Sequence, residues 1–465
     1  MPSSRYRSCK GLATDLYELT MGAAYLALGL DARATFSLSV RKLPPHRSHL
    51  VVAGLEGALA ALEELSFEED AAEYLRSTGR FDTAQLSKLV ATRFTGDVRA
   101  VPEGRVVFGG EPLLEVDAPL IEAQLAETLL LGAVYYPTLV ATKAARCVSA
   151  APGKTLVDFG MRRMPSVDAS VAAARACYLA GFAATSNVLA GRELGVPLAG
   201  TIAHSLIELF PSELEAFRRY ASTVRGGFTL LVDTYDTLVG VRRAIQVARE
   251  LEQSGGRLES IRLDSGDLAD LARRARGMLD AAGLSAVRIF ASGGLDEYEI
   301  YRLESAGAPI DGYGVGTRLG MSADAPVLDM AYKIVSCGGR PCLKLSEGKA
   351  TRVGPQQIWR RRAEDGRFVE DLVAARDEPA PGPGWEPLLE QIMSRGRRAP
   401  APTLEDIRRR HESEARSLPP ELLALAARGG AYPVRVSPLL QERQRRAVDE
   451  VRRREGQVFA SGSSS

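Results

Sequence analysis

The pattern of hydrophobic and polar positions is most regular between residues 154 and 334, where short strand-like runs alternate with longer helix-like stretches. At 260–264, apolar and polar side chains alternate with the two-residue period of a strand. Ser265 and Gly266 interrupt this run, and Asp267 then begins an amphipathic pattern typical of a helix. Regularly repeated units of this kind predict a parallel sheet with helical crossovers.

Six strands can be recognised in this region. They are the runs 155–159, 197–200, 228–233, 260–263, 287–291 and 310–315. A closed barrel needs two more strands, and we expect them before Lys154 and at 331–335. The sequence therefore predicts an α/β fold built on an irregular TIM-like (β/α) barrel.

The segments on either side of the repeat have a different character. Residues 1–120 mix helical patterns with short strands and predict an α+β N-terminal domain. The barrel is expected at 121–345, and strands and helices at 346–465 are expected to form a helical C-terminal extension that packs on the N-terminal domain. The Pro- and Gly-rich stretch 378–402 is expected to be a loop.

Composition and charge argue against several classes of partner. The 465 residues carry a net charge of +1, so no global field attracts the chain to nucleic acid or to a membrane surface. The densely charged helix expected at 439–454 contains no aromatic residue, which favours a solvated face over nucleic-acid binding. The apolar run 128–141 is too short to span a bilayer and contains Pro137, so we interpret it as a buried helix.

Cysteine usage indicates a reducing compartment. The five cysteines are odd in number and scattered, and none forms a Cys-x-x-Cys pair. No export signal is visible near the N-terminus. We therefore expect free thiols and a cytoplasmic location.

Polar residues follow the ends of the expected strands. The stretches are 160–163, 201–205, 233–237, 262–267, 292–294 and 314–318. In a TIM-type barrel such positions gather at one face, where catalytic groups lie. Arg262 can bind phosphate through its guanidinium fork, and neighbouring carboxylates suit Mg²⁺. Each turn alone is weak evidence, because a glycine-containing loop after a strand is more often structural. Six polar turns in sequence predict a site that binds phosphate.

His204 is the histidine that follows an expected barrel strand. His46 and His49 lie in a loop, and His411 lies in a charged helix expected at 404–427. An isolated histidine is usually a hydrogen-bonded structural residue. Here it lies between Thr201 and Ser205, within the ring of phosphate-type turns. Its imidazole can act there as a general base or accept a phosphoryl group, and we favour a functional role.

The order of these turns resembles that of the nicotinate phosphoribosyltransferase family. The matching segments are Thr14-Asp15-Leu16-Tyr17, Phe159-Gly160-Met161-Arg162-Arg163, Thr185-Ser186-Asn187-Val188-Leu189-Ala190-Gly191, Gly200-Thr201-Ile202-Ala203-His204-Ser205, Val232-Asp233-Thr234-Tyr235-Asp236, Arg262-Leu263-Asp264-Ser265-Gly266-Asp267 and Gly314-Val315-Gly316-Thr317. The likeness covers about residues 13–359. Many motifs in one order are more specific than a single glycine pattern.

The resemblance implies an ATP-coupled ligase of NAD salvage. Nicotinate and 5-phosphoribosyl 1-diphosphate would give nicotinate mononucleotide and diphosphate, with Mg²⁺ as cofactor and ATP as co-substrate. ATP would phosphorylate His204, and hydrolysis of the phosphohistidine would follow. The family fold is an irregular barrel with an N-terminal α/β domain, usually assembled as a homodimer whose active sites contain residues from both subunits.

The resemblance also implies roles for individual residues. The expected catalytic residues are His204 and Asp264. The expected substrate-binding residues are Tyr17, Arg162, Thr201, Ser205, Arg262, Gly293, Gly294, Gly316 and Thr317. Tyr17 would contact the pyridine ring from the neighbouring subunit, and Arg162 would pair with the nicotinate carboxylate. Asp264 and Asp267 are candidates for Mg²⁺ or for the ribose hydroxyls, and the metal ligands are left unassigned.

Two departures and three alternatives accompany this interpretation. The run 164–168 and the Ser292-Gly293-Gly294 turn differ from the sequences common in the family. Nicotinamide phosphoribosyltransferase shares the chemistry, but a neutral amide would leave Arg162 without a counter-charge. Quinolinate phosphoribosyltransferase would need more cations for a second carboxylate. A non-catalytic barrel that binds a sugar phosphate would have little need of His204.

Overall fold

A computed structural model describes residues 10–224, 226–346, 351–425 and 432–462. Within these ranges the α-helices are α1 Leu16–Ala27, α2 Leu55–Glu63, α3 Glu69–Ser77, α4 Thr83–Val90, α5 Leu120–Ala150, α6 Val167–Leu179, α7 Val188–Leu194, α8 His204–Glu208, α9 Glu213–Thr223, α10 Thr237–Gln253, α11 Leu268–Ala281, α12 Glu297–Ser305, α13 Thr317–Gly320, α14 Leu404–Ser417, α15 Pro420–Leu423 and α16 Pro438–Gly462. The strands are β1 Arg33–Val40, β2 Leu50–Val51, β3 Asp97–Ala100, β4 Val106–Val107, β5 Pro112–Pro119, β6 Thr155–Asp158, β7 Ala184–Thr185, β8 Thr229–Leu231, β9 Ser260–Leu263, β10 Arg288–Ala291, β11 Gly312–Val315, β12 Met330–Cys337, β13 Arg340–Pro341, β14 Gln356–Arg362, β15 Phe368–Ala375, β16 Trp385–Pro387, β17 Glu390–Ser394, β18 Arg397–Arg398 and β19 Val434–Val436.

The chain divides into two compact units. The first unit contains Met1–Leu139 and Val327–Ser465, and the second contains Val140–Pro326. The boundary between them therefore falls inside α5. Residues 121–139 and 327–345, which the domain prediction placed in the barrel, belong to the first unit.

The second unit is organised around a parallel six-stranded sheet. Its order is β7-β6-β11-β10-β9-β8, and every neighbouring pair is parallel. This confirms the predicted mixed α/β architecture with helical crossovers. The expected strand at 197–200 is reduced to a single bridge between Leu198 and Thr185. In the described part of the chain the sheet is an open half-barrel, and closure into an irregular TIM-like barrel stays a prediction.

The two additional barrel strands were placed wrongly. The chain before Lys154 is the end of α5, not a strand. Residues 331–335 lie in β12, which pairs antiparallel with β1 in the first unit. An alternating apolar run fits any half-buried sheet, and here Tyr332 stacks on Phe36 of β1 with ring centroids 5.0 Å apart.

The first unit contains three sheets among its described residues. A seven-stranded sheet has the order β13-β12-β1-β5-β3-β17-β18, a four-stranded sheet the order β16-β14-β15-β19, and β2 pairs with β4. The prediction of a loop at 378–402 was wrong, because β16, β17 and β18 lie there. Leu388, Leu389 and Met393 are buried, and β17 pairs with β3. The Pro and Gly residues mark the turns between these strands, not the absence of structure.

Helix α5 is the one described helix that is long and apolar enough to cross a membrane by length and composition alone. This is weak support for a membrane span, because the core helix of a globular protein meets the same criterion. Val134 and Val140 are fully buried within the chain. Lys143 is also buried and forms ion pairs with Glu297 at 2.6 Å and Asp324 at 2.5 Å. These contacts are those of a helix packed inside the protein, as the sequence predicted.

Candidate active site

The carboxyl ends of the parallel strands in the second unit bring polar side chains together. Strand β9 ends at Leu263, so Arg262 and Asp264 flank the strand terminus on the same side of the pleat. The turns that follow β8 and β10 lie on either side, because both strands pair with β9. Residues far apart in sequence therefore meet at one edge of the sheet.

Arg262 joins three of these turns. Its Nη1 donates to Thr201 Oγ1 at 2.7 Å, its Nη2 to Asp264 Oδ1 at 2.6 Å and its Nε to Ser292 Oγ at 2.6 Å. The guanidinium also lies 5.5 Å from the centroid of the Phe159 ring. Its side chain is only 14% exposed, so these charge-assisted bonds are partly shielded from water. The predicted residues Thr201, Arg262 and Asp264 thus form one network.

His204 lies beside this network at the start of α8. Its Nδ1 is 3.1 Å from Thr234 Oγ1, and its Nε2 is 3.8 Å from Asp264 Oδ2. The imidazole is 38% exposed, so it remains open to a ligand. When Nδ1–H donates to the Thr234 hydroxyl, Nε2 carries the free lone pair. The structure therefore brings together the two predicted catalytic residues.

Asp233 is a functional candidate that the sequence prediction did not assign. Its Oδ2 accepts hydrogen bonds from Asp264 N at 3.1 Å and Ser265 Oγ at 2.5 Å. Its Oδ1 is buried and has no hydrogen-bond partner among the described residues. A buried orphaned carboxylate oxygen is costly unless a ligand completes it. Asp233 and Thr234 both lie in the Val232-Asp233-Thr234-Tyr235-Asp236 segment. Its position after a strand was the sequence signal that could have identified them as site residues.

The Gly293-Gly294 turn after β10 approaches the β9 turn closely. Gly293 has φ +92°, and a Cβ placed on it would lie 2.0 Å from the carbonyl oxygen of Asp264. Gly294 has φ +66°, and a Cβ there would meet nothing within 4 Å. The first glycine is required by packing, whereas the second leaves the turn open on one side.

The turn after β11 contains the predicted residues Gly316 and Thr317. Strand β11 pairs with β10, so this turn lies next to the Gly293-Gly294 turn. Arg318 follows Thr317 and donates from Nη1 to Asp296 Oδ2 at 3.0 Å. Two glycine-containing turns therefore stand side by side at the sheet edge.

Arg162 and Ser205 are exposed at the same edge of the sheet. Arg162 lies in a short 3-10 helix, Met161–Arg163, that follows β6. Within the described ranges its guanidinium pairs with no carboxylate. Ser205 lies in the first turn of α8. The loop before Arg162 is anchored by buried Asp158, whose pKa is raised by burial although Gly160 N and Thr185 Oγ1 donate to it.

Tyr17 lies in the first unit, on α1. Its side chain is 45% exposed. Burial of the hydroxyl end raises the pKa of Tyr17, and the neighbouring Glu127 and Glu18 raise it further. Glu18 itself is buried and accepts hydrogen bonds from Thr14 and Thr128, which fasten α1 to α5. The ring is therefore held at its polar end and presents an open face.

The first unit also contains a cationic cavity of about 240 Å³. Its charged lining residues are Arg41, Lys42, Lys333 and Arg352. Hydroxyl and amide groups, including those of Ser37, Ser39 and Gln356, complete the lining. None of the predicted site residues lines it. A cavity of this composition suits an anion with several oxygens.

No described group of three or more His, Cys, Asp or Glu side chains is arranged to hold a metal ion by itself. Asp233 and Asp264 are nevertheless adjacent, since the backbone N–H of Asp264 donates to Asp233 Oδ2 at 3.1 Å. Mg²⁺ commonly binds through one or two carboxylates together with substrate phosphates and water. The donor set therefore fits an ion that a phosphate ligand brings with it.

Comparison with known proteins identifies the family. The N-terminal domain model of nicotinate phosphoribosyltransferase (NAPRTase) matches residues 12–135, and the model of the nicotinate phosphoribosyltransferase (NAPRTase) family matches residues 154–360. Nicotinate phosphoribosyltransferase pncB2 of Mycobacterium tuberculosis is 47% identical over 430 residues, which cover 92% of this chain and 91% of that protein. Nicotinate phosphoribosyltransferase of Bacillus subtilis is 41% identical over 378 residues, or 79% of this chain and 76% of that protein.

A solved structure agrees with these matches. The crystal structure of human nicotinic acid phosphoribosyltransferase has a TM-score of 0.83 and 31% sequence identity to this chain. The alignment covers 92% of this chain and 98% of the human chain. Sequence motifs, fold and relatives agree, and the chain belongs to the nicotinate phosphoribosyltransferase family.

Proposed function

We propose that this chain transfers a phosphoribosyl group from 5-phosphoribosyl 1-diphosphate to nicotinate and couples the reaction to ATP hydrolysis through His204. Transfer to nicotinate, a salvage step toward NAD, is the function of the family to which the chain belongs. The ATP-coupled ligase mechanism is our proposal. The observation that carries it is the position of His204, with Nε2 3.8 Å from Asp264 Oδ2 beside the Arg262 network.

The transfer step needs the ring nitrogen of nicotinate to attack the anomeric carbon while the bond to the diphosphate oxygen breaks. We assign nicotinate to Arg162 and Thr201, because the exposed guanidinium of Arg162 can pair with a carboxylate in bidentate fashion. Arg262 and Thr317 would bind phosphate groups, and Ser205 would donate a hydroxyl. Displacement at this carbon develops positive charge, so the main task of the protein is to orient the ring and hold the leaving group.

The ATP step uses the imidazole of His204. Nε2 attacks the γ-phosphorus of ATP, the bond to the bridging oxygen breaks, and ADP leaves. Water later attacks the phosphohistidine phosphorus, which breaks the N–P bond and releases phosphate. Thr234 supports this assignment, because a hydroxyl that accepts from Nδ1–H leaves Nε2 unprotonated for the attack.

Mg²⁺ is the proposed cofactor. Asp264 and Asp233 would hold it together with phosphate oxygens of the substrates. The ion would neutralise part of the charge of the diphosphate. Arg262 and Ser292 already bind Asp264 Oδ1, so they orient the carboxylate whether or not the ion is present.

A homodimer with shared active sites is also part of the proposal, as is a cytoplasmic location. Helix α1 and the residues after it expose Leu16, Tyr17, Met21, Leu28 and Leu30. An apolar face of this kind favours contact with a second copy, which would bring Tyr17 to the nicotinate ring of the other subunit.

The test is an assay of the purified chain with the ribosyl diphosphate, Mg²⁺ and ATP, supplied with nicotinate or nicotinamide in parallel. We expect mononucleotide from nicotinate alone. His204→Ala should abolish the stimulation by ATP and the acid-labile phosphoenzyme. Turnover of nicotinamide instead would refute the role of Arg162, and no turnover of either would indicate a sugar-phosphate-binding protein. Light scattering of the same sample tests the dimer.

A further inference from the structure

Arg318 stands beside the predicted site but was not part of it. It follows Thr317 in α13, directly after β11. Its Nη1 donates to Asp296 Oδ2 at 3.0 Å, and its side chain is 53% exposed. The pair joins two successive βα turns across 22 residues, unlike the (i, i+3) and (i, i+4) pairs on the helix surfaces.

Asp296 is itself firmly held. It is the N-cap of α12, and its Oδ1 accepts hydrogen bonds from the backbone N–H groups of Tyr298 and Glu299 at 3.1 and 3.0 Å. One carboxylate oxygen thus orients the residue, and the other fixes the guanidinium of Arg318. Because β10 and β11 are adjacent parallel strands, this arrangement keeps Arg318 beside the Gly293-Gly294 turn.

The guanidinium of Arg318 retains most of its hydrogen-bonding capacity. An arginine carries five N–H donors. Among the described residues, Asp296 is its hydrogen-bond acceptor and ion-pair partner. The neighbouring turn is open, because a Cβ at Gly294 would meet nothing within 4 Å. A forked cation beside an open glycine turn is well suited to a phosphate group.

We propose that Arg318 binds the 5-phosphate of the ribosyl substrate and that Asp296 positions it. The inference rests on the proposed function. The diphosphate is attached at the reacting carbon and belongs near Asp264, at the end of β9. The Arg318 turn lies two strands away, roughly 10 Å at the usual strand spacing. The 5-phosphate is attached at the end of the ribose remote from the diphosphate. A separation of this size between the two turns therefore fits the 5-phosphate.

The competing interpretation is a solvated ion pair. An exposed pair of this kind contributes little to stability. If Arg318 served only such a pair, its replacement would leave ligand binding unchanged. Arg302 provides a matched control, because its side chain is 54% exposed and pairs with Glu299 at 2.6 Å on the surface of α12. Replacing Arg302 removes an equally exposed arginine and its ion pair from the same unit without touching either glycine turn.

The experiment compares Arg318→Met, Arg318→Lys and Asp296→Asn with Arg302→Met and the wild-type protein. Calorimetry measures the Kd of ribose 5-phosphate and of inorganic diphosphate, and kinetics measures KM for each substrate. Loss of a charge-assisted bond predicts a Kd for ribose 5-phosphate about tenfold or more higher in Arg318→Met. Arg318→Lys should be intermediate, and Asp296→Asn should follow in the same direction, because Asn still caps α12 but holds the guanidinium less well.

The proposal predicts that only the binding of ribose 5-phosphate weakens. We expect the Kd of diphosphate and the KM for nicotinate to stay at wild-type values in every variant, and Arg302→Met to bind both ligands normally. Unchanged ribose 5-phosphate binding in Arg318→Met would overturn the proposal, as would an equal weakening of diphosphate. The binding measurement does not need turnover, so a protein that binds ribose 5-phosphate through Arg318 but forms no mononucleotide would contradict the proposed function alone.

Discussion

Substitution of the two adjacent glycines after β10 tests whether the close approach of two turns sets the geometry of the site. Gly293→Ala places a Cβ 2.0 Å from Asp264 O, and real contacts of this kind are not shorter than 3.0 Å. The two turns must therefore separate by about 1 Å. Gly294→Ala creates no contact within 4 Å. Both residues have positive φ, so both variants incur a similar backbone cost of about 1–2 kcal/mol.

The difference between these variants measures the effect of displacing Asp264. A misplacement of about 1 Å at a catalytic group can lower the rate roughly a hundredfold. We therefore expect kcat to fall by about that factor in Gly293→Ala, because Asp264 carries the carboxylate near His204 and the acceptor for Arg262. Gly294→Ala should retain kcat at saturating substrates within about threefold, because its Cβ displaces no neighbouring turn. Any effect of this Cβ on a phosphate in the open turn should appear in the KM for the ribosyl diphosphate.

The assay is steady-state formation of nicotinate mononucleotide at saturating substrates, with urea unfolding of each variant as a control for stability. Both variants should unfold in a single transition below that of the wild-type protein, Gly293→Ala at the lower urea concentration. Equal kcat values for the two variants would refute the reasoning. That result would mean that the β9 turn shifts without consequence or that Asp264 takes no part in the reaction.

Three further predictions concern other parts of the chain. Arg262→Lys keeps the charge but loses the fork, so kcat/KM should fall roughly tenfold to a hundredfold in the same assay. Lys143→Met removes the buried cation shared by two carboxylates and should lower the free energy of unfolding in urea by about 3 kcal/mol or more. Burial raises the pKa of Glu115 to about 7. Its contribution to the free energy of unfolding is therefore fully present below pH 4.5 and is lost as pH rises through 7. Glu115→Gln should remove this pH dependence, which is on the order of 3 kcal/mol, in urea titrations at pH 5 and 8.

Each of these three has its own contrary result. Wild-type kcat/KM in Arg262→Lys would show that a point charge suffices at that position. If Lys143→Met left the free energy of unfolding unchanged, the two carboxylates would be better solvated than their burial indicates. If the free energy of unfolding of Glu115→Gln still fell between pH 4.5 and 7, another group would be responsible for that pH dependence.

The sequence predicted the parallel sheet because its strands combine a local pattern with polar residues at their ends. The sequence did not predict the correct sheets for β12 and β17, because their partner strands are distant in sequence. The run 331–335 has the same alternation that a barrel strand has, and only packing against β1 determines its sheet. Proline and glycine suggested a loop at 378–402, but buried Leu388 and Leu389 show that a segment with many turns can still contribute strands.

Part of the candidate site was predictable for a similar reason. Arg262 and Asp264 lie at the end of β9, and Thr201 and His204 follow the bridge at Leu198; the sheet brings all four together. Thr234 and Ser292 were not assigned, because a hydroxyl in a turn has no distinctive pattern until its partner is known. The orphaned oxygen of Asp233 likewise depends on burial, which the surrounding residues create.

The antiparallel pairing of β1 with β12 has a consequence for synthesis on the ribosome. Strand β5 can cover one side of β1 early, but β12 is translated roughly 300 residues after β1. At about 5–20 residues per second, the other edge of β1 waits for about 15 to 60 seconds. The contiguous second unit, by contrast, is complete before β12 emerges. Nascent chains should therefore expose a strand edge for much of translation, when chaperone binding would protect them from aggregation.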